Sequence, residues 1–172
     1  MPPRMSGVFS EVDPQHLQHP VLVFLKTYWD AKRAGRPMPS RADIRPADMK
    51  EHLGWIVLLD ALPDRSDFRY RMIGTRVTQY VLADATGKTI AEAFQSYGDE
   101  AVKSVLAFHR KAADDRVPVR AFGEADWLGR ALFAFDALFL PLSDDGVQAN
   151  MILSAFTFSV SDSVKPHPAA GP

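Results

Sequence analysis

Apolar residues occupy odd and even positions alike across residues 129–160, GRALFAFDALFLPLSDDGVQANMILSAFTFSV. This stretch reads as a long β-hairpin with a polar turn at Ser143-Asp144-Asp145-Gly146. Leu132, Ala134, Leu138 and Leu140 fall on one side of the first arm, and Phe133, Phe135, Ala137 and Phe139 on the other. In the second arm Met151, Leu153 and Ala155 oppose Ile152, Phe156 and Phe158. An antiparallel sheet with one wet face alternates apolar with polar. An arm apolar on both sides therefore predicts a sheet covered on both faces.

The remaining pattern supplies the covers. Residues 1–18 are polar, Pro-containing and aperiodic, and predict a mobile lead. From His19-Pro20 a stripe of Val21, Leu22, Phe24, Leu25, Tyr28 and Trp29 predicts an amphipathic helix over 19–35, with Lys26, Asp30 and Arg33 opposite and Gly35 as its stop. A Pro-rich connector and a short helical turn over 43–53 follow. Residues 55–62 and 68–73 predict two strands around a turn at 63–67. Gly74 breaks the second strand, and Thr75 is placed to cap a short helix carrying Val77, Tyr80 and Val81. A loop at 84–88, a helical turn at 90–94 and a long helix over 99–114 complete an insert before a strand at 117–123 and the hairpin. The expected class is α+β: a five-stranded antiparallel sheet, a helical insert between its second and third strands, and an N-terminal amphipathic helix. The domain is expected over 19–161, with its core at 55–160, and 162–172 as a disordered tail.

Composition narrows the role. The chain has 172 residues, 47% hydrophobic and 24% charged, within the ordinary globular range. Its 20 basic and 21 acidic residues leave a net charge of -1, which argues against a nucleic-acid partner and against an electrostatic membrane surface. There is no cysteine, which excludes disulfides, thiolate nucleophiles, Cys-ligated metals and a cysteinyl-flavin adduct. No secretory apolar core stands near the start and no run of about 18 apolar residues exists, so the expectation is a cytoplasmic protein without a spanning helix.

Several phrases, in order, carry a resemblance. They are PSRAD at 39–43, the strand at 55–60, FRYRMIGT at 68–75, DATGK at 84–88, LPLSDDG at 140–146 and MIL at 151–153. Over about residues 20–160 the chain resembles a single-domain bacterial PAS-like family of alphaproteobacterial type. Ala83 departs from the pattern, standing where such sequences often place Gly. The resemblance implies the PAS fold, often without an attached kinase or cyclase, and a role class rather than a defined site.

Candidate chemistry is sparse. His109 lies on the long helix, in about the region from which haem-binding PAS proteins supply an axial His. A lone His is a weak signal for haem, and a core His at a helix–sheet seam is the simpler reading. Asp60 and Asp136 interrupt apolar strands, where a carboxylate serves as a general base or pairs with Arg69, Arg71 or Arg130. Asp60 and Arg71 are expected cross-strand neighbours. Tyr70, Arg71, His109, Phe122 and Trp127, with Arg120, are candidates to line a pocket for a small carboxylate or aromatic ligand. Alternation puts Tyr70 and Arg71 on opposite faces. Val21, Leu25, Tyr28 and Trp29 either pack on the chain's own sheet or form an interface with a homodimer mate or protein partner. The five His residues show no metal spacing, and there is neither a P-loop nor a nucleophile elbow. No catalytic or metal site is expected.

The first expectation is a non-catalytic PAS-type sensory or interaction module that binds a small molecule and signals in trans through a partner. One alternative is a small cone-shaped α+β isomerase or dehydratase, which requires Asp136 and His109 to meet in one cavity. The other is a ligand-free interaction adaptor, favoured by a cavity too small for several heavy atoms.

Overall fold

The computed structural model describes residues 5–10, 16–81, 83–124 and 133–160. Their elements run β1 (Met5–Ser10), α1 (Pro20–Arg33), β2 (Ile56–Ala61), β3 (Phe68–Ile73), α2 (Thr75–Tyr80), α3 (Ile90–Phe94), α4 (Asp99–Asp115), β4 (Val119–Glu124), β5 (Phe133–Leu142) and β6 (Met151–Val160). Three short 3-10 turns, Arg41–Asp43, Pro46–Met49 and Leu53–Trp55, replace the single helical turn predicted over 43–53. Pro46 cannot donate to a continuous helix, and it opens the second of them.

The strands form one antiparallel sheet in the order β1-β4-β5-β6-β2-β3. Five of them are the predicted sheet, with the helical insert α2–α4 between β3 and β4. The sixth comes from the N-terminal lead, where the sequence pattern predicts no element. There β1 pairs with β4 along the sheet edge. Its short segment contains Gly7 and gains its order from a long-range partner, not from local propensity.

The hairpin is covered on both faces. Leu138 faces Ala155 and Leu140 faces Leu153 on one side, and all four are buried. α1 packs over this side against β5 and β6. On the other side Phe135, Ala137, Phe139, Ile152 and Phe156 are buried beneath α4 and the insert. Phe108 of α4 meets Phe135 and Phe139 with ring centroids 6.2 and 5.5 Å apart. Each such side chain withdrawn from water contributes about 1.5–3 kcal/mol.

Local chemistry fixes both covers. His19 is extended, and its Nδ1 accepts from the Val21 amide at 3.2 Å, capping α1. The helix ends in left-handed backbone at Ala34, one residue before the expected Gly35. The predicted Thr75 cap falls one residue early in the chain instead: Gly74 is the N-cap of α2 and Thr75 its first helical residue. A side chain at Gly74 would sit 2.3 Å from the Gly54 carbonyl oxygen, so only glycine lets these backbones meet. The start of α3 is tied to β3 by buried Asp67, whose carboxylate accepts from the Phe68, Ile90 and Ala91 amides.

Candidate functional site

Strand β3 sends alternate side chains to opposite faces. Phe68 and Tyr70 are buried toward the insert, and Arg69 and Arg71 are exposed. The free edge of β3 is closed by the 84–88 loop, because the Tyr70 amide donates to the Lys88 carbonyl and the Gly87 amide to the Tyr70 carbonyl. From the other side α4 presents His109, 2% exposed, between the rings of Phe68 and Phe139. Between β3 and α4 lies a cavity of about 20 Å3. Val57, Ser154 and Phe156 form its sheet wall; Val77, Val81 and Phe94 form the insert wall; Tyr70 and His109 complete it.

The polar atoms of this cavity are few and unequal. His109 Nδ1 lies 2.7 Å from the Val105 carbonyl oxygen. A carbonyl only accepts, so Nδ1 carries the proton and Nε2 is left as a bare acceptor. Burial pushes the imidazole pKa down to about 4, against smaller opposing effects of the Val105 bond and the Asp67 charge. The ring is therefore neutral at pH 7. Burial also raises the Tyr70 phenol, which stays protonated. Ser154 Oγ reaches the Val57 carbonyl at 3.4 Å. Neither His109 Nε2 nor the Tyr70 hydroxyl has a hydrogen-bond partner among the described residues. Among the described residues the one buried side-chain nitrogen or oxygen without a hydrogen bond is Arg33 Nε, on α1, which lies 3.5 Å from the Asp30 carboxylate; Tyr70 and His109 both line the cavity.

The remaining candidates go elsewhere. Arg71 projects from the outer face and pairs with Asp60 at 2.9 Å, so it does not line the cavity. Phe122 is half-buried in β4 with the Arg120 guanidinium over its ring at 4.7 Å, also away from the cavity. Trp127 and Arg130 lie outside the described residues. Asp136 pairs with Arg120 through two bonds of 2.9 and 2.8 Å, not with Arg69 or Arg71. Arg120 also donates to the His16 carbonyl. Register explains the choice: Phe122 faces Asp136, which leaves Arg120 two residues along on the same face. Asp136 thus lies on the α1 face and His109 on the insert face. The acid–base pair required by an isomerase or dehydratase does not form.

Val21, Leu25, Tyr28 and Trp29 are buried within the chain. Trp29 Nε1 donates to the Pro141 carbonyl at 2.9 Å. The Tyr28 hydroxyl donates to Asp48 and accepts from the Arg45 amide. The helix covers its own sheet, so these four are not open interface residues. The space beside His109 is far smaller than a haem macrocycle. No cluster of three His, Cys, Asp or Glu side chains suited to a metal occurs among the described residues. A second, solvent-open groove beside the 84–88 loop carries Asp84 and Glu92, whose carboxylates are occupied by the local Thr86 and Thr89 caps.

Val57, Val77, Val81, Phe94, Ser154 and Phe156 line the cavity although the sequence pattern marks none of them as a pocket residue. Ser154 offers a sequence signal, a hydroxyl in an otherwise apolar arm, but Thr157 of the same arm offers the same signal and faces the other side.

No helix among the described residues is long and apolar enough to cross a membrane. No curated protein matches the chain. One solved structure, described as that of an RNA-binding Light-Oxygen-Voltage receptor, is similar at 15% identity with a TM-score of 0.44. The alignment covers 69% of this chain and 35% of that one, so the chain spans about a third of the receptor's length. A family model described as a PAS domain matches residues 17–157, which take in α1, the insert, four of the five predicted strands and most of the fifth, β6. The chain belongs to the PAS domain family.

Proposed function

We propose that this PAS domain is a non-catalytic sensory and interaction module. Its input site is the cavity between β3, α2 and α4, and its output passes in trans to a second copy or another protein. The observation that carries this reading is the pair of polar atoms, Tyr70 hydroxyl and His109 Nε2, left unpartnered in an apolar enclosure. Buried polar groups are ordinarily satisfied, and exceptions call for a guest or a role. A guest that binds one arrangement of the insert better than another shifts the population of the two. The insert and α1 pack on opposite faces of the same β5–β6 hairpin, which gives the shift a route to the outer surface.

A second reading has its own support. A cavity of about 20 Å3 is near the 10–15 Å3 that one water needs. On that basis the domain would act as a ligand-free adaptor. Native mass spectrometry separates the two while also reporting oligomeric state. A small molecule retained by the purified protein, with hydrogen exchange in α1 altered on its removal, supports the sensory reading. A guest-free protein that still assembles with itself supports the adaptor and contradicts the sensor.

A further inference from the structure

We infer that the cavity is a site for one neutral hydroxyl group, carried by a water molecule or a short aliphatic alcohol, with His109 Nε2 accepting its proton and the Tyr70 hydroxyl facing its oxygen. This rests on the cavity being the input site proposed above and names the chemistry it takes.

Three observations combine. First, the Val105 carbonyl fixes the proton on Nδ1, so Nε2 requires a donor and repels an acceptor. A carboxylate, ether or carbonyl guest leaves that lone pair unsatisfied. Second, Tyr70 and His109 are 5% and 2% exposed and sit on the same cavity. Little of either residue reaches bulk solvent, and an occupant of the cavity is placed to serve both. Third, the volume of about 20 Å3 suits a guest of one to a few heavy atoms. The rest of the wall is Val57, Val77, Val81, Phe94 and Phe156 with Ser154, whose hydroxyl is directed to the Val57 carbonyl, and it carries no group to pair with a charge. A guest with one hydroxyl and a short apolar body matches both parts of the lining.

An apolar enclosure without usable polar groups stays dry and takes xenon instead. That contrast supplies the test. In isotope-labelled wild-type protein, we expect cross-relaxation from a long-lived water to the Val77 and Val81 methyls. Xenon should perturb those methyls weakly, and 15N spectra should show a pyridine-type Nε2 on His109. Ethanol should displace the water signal and shift the same methyls, whereas acetate should not. In Tyr70→Phe/His109→Leu the water signal should vanish and the xenon response grow several-fold. Tyr70→Phe alone, which keeps the ring, guards against loss of the fold and should show an intermediate response. A wild-type cavity that shows no water and takes xenon as readily as the double variant overturns the inference. Equal responses to ethanol and acetate overturn it too. Ethanol binding that leaves hydrogen exchange in α1 unchanged keeps the hydroxyl site but defeats the sensory reading.

Discussion

The two faces of the sheet are closed in different ways. On the α1 side three large polar groups meet hydrogen-bond partners, while Arg33 Nε makes no hydrogen bond and lies 3.5 Å from the Asp30 carboxylate. Trp29 donates to Pro141, Tyr28 is held between Asp48 and the Arg45 amide, and Arg120 binds Asp136 through two bonds. On the insert side α2 and α3 span only six and five residues beside the 17-residue α4, and Tyr70 and His109 line a cavity with no hydrogen bond to the Tyr70 hydroxyl or His109 Nε2 among the described residues. Helices this short depend on tertiary packing rather than on their own propensity. On the proposed reading the α1 face holds and the insert face responds. Both faces bury comparable apolar side chains, so the difference between them lies in their polar groups.

The largest effect should come from removing the first cover. Deletion of residues 1–35 exposes the buried row containing Leu138, Leu140, Leu153 and Ala155, and the truncated protein should aggregate on expression. A soluble, folded monomer measured by light scattering and circular dichroism would break the contrast between the faces. Within the intact chain, Trp29→Ala should cost about 3–5 kcal/mol in urea unfolding, through lost packing. Trp29→Phe, which keeps most of the ring, should lose about 1–2 kcal/mol for the bond to Pro141.

Titration probes the insert face. The unfolded chain takes up a proton on His109 below its ordinary value of 6.5, and the folded chain refuses it until about 4. Stability should therefore fall as the pH drops through that window, by about 3 kcal/mol from this residue when complete. Above 6.5 both states are neutral and the contribution is flat. His109→Gln should remove this component, read as the difference between urea midpoints of the two proteins at pH 7 and pH 4.5. An identical pH dependence in both would contradict a buried neutral imidazole.

The smallest effect concerns Arg71. Its pair with Asp60 is exposed, with side chains 56% and 32% accessible. Such pairs contribute about 0–1 kcal/mol. Arg71→Met should leave the melting temperature nearly unchanged, and a large loss would show that the outer face of β2–β3 is not solvent-facing.

Much of this architecture was legible in the sequence because it rests on local periodicity. The two-sided apolarity of β5 and β6 required a cover on each face, and the Val21–Trp29 stripe and the insert were there to supply them. What periodicity could not reach was pairing at a distance. β1 is a strand only because β4 offers an edge. Gly74 caps α2 because Gly54 approaches its backbone. Arg120, not Arg69, Arg71 or Arg130, meets Asp136 because the β4–β5 register brings it there. The site divides in the same way. Tyr70 faces inward by simple alternation, but its meeting with His109 depends on how α4 lies across the sheet. That Nε2 is the accepting nitrogen depends on one carbonyl, that of Val105.

Native-state hydrogen exchange followed residue by residue tests the contrast between the two faces most directly. The account predicts that the Leu25–Trp29 amides of α1 exchange only through global unfolding, while amides in α2 and α3 open at clearly lower free energy. If α1 opens first, or if all three helices exchange only with the whole domain, the distinction between a holding face and a responsive one is wrong.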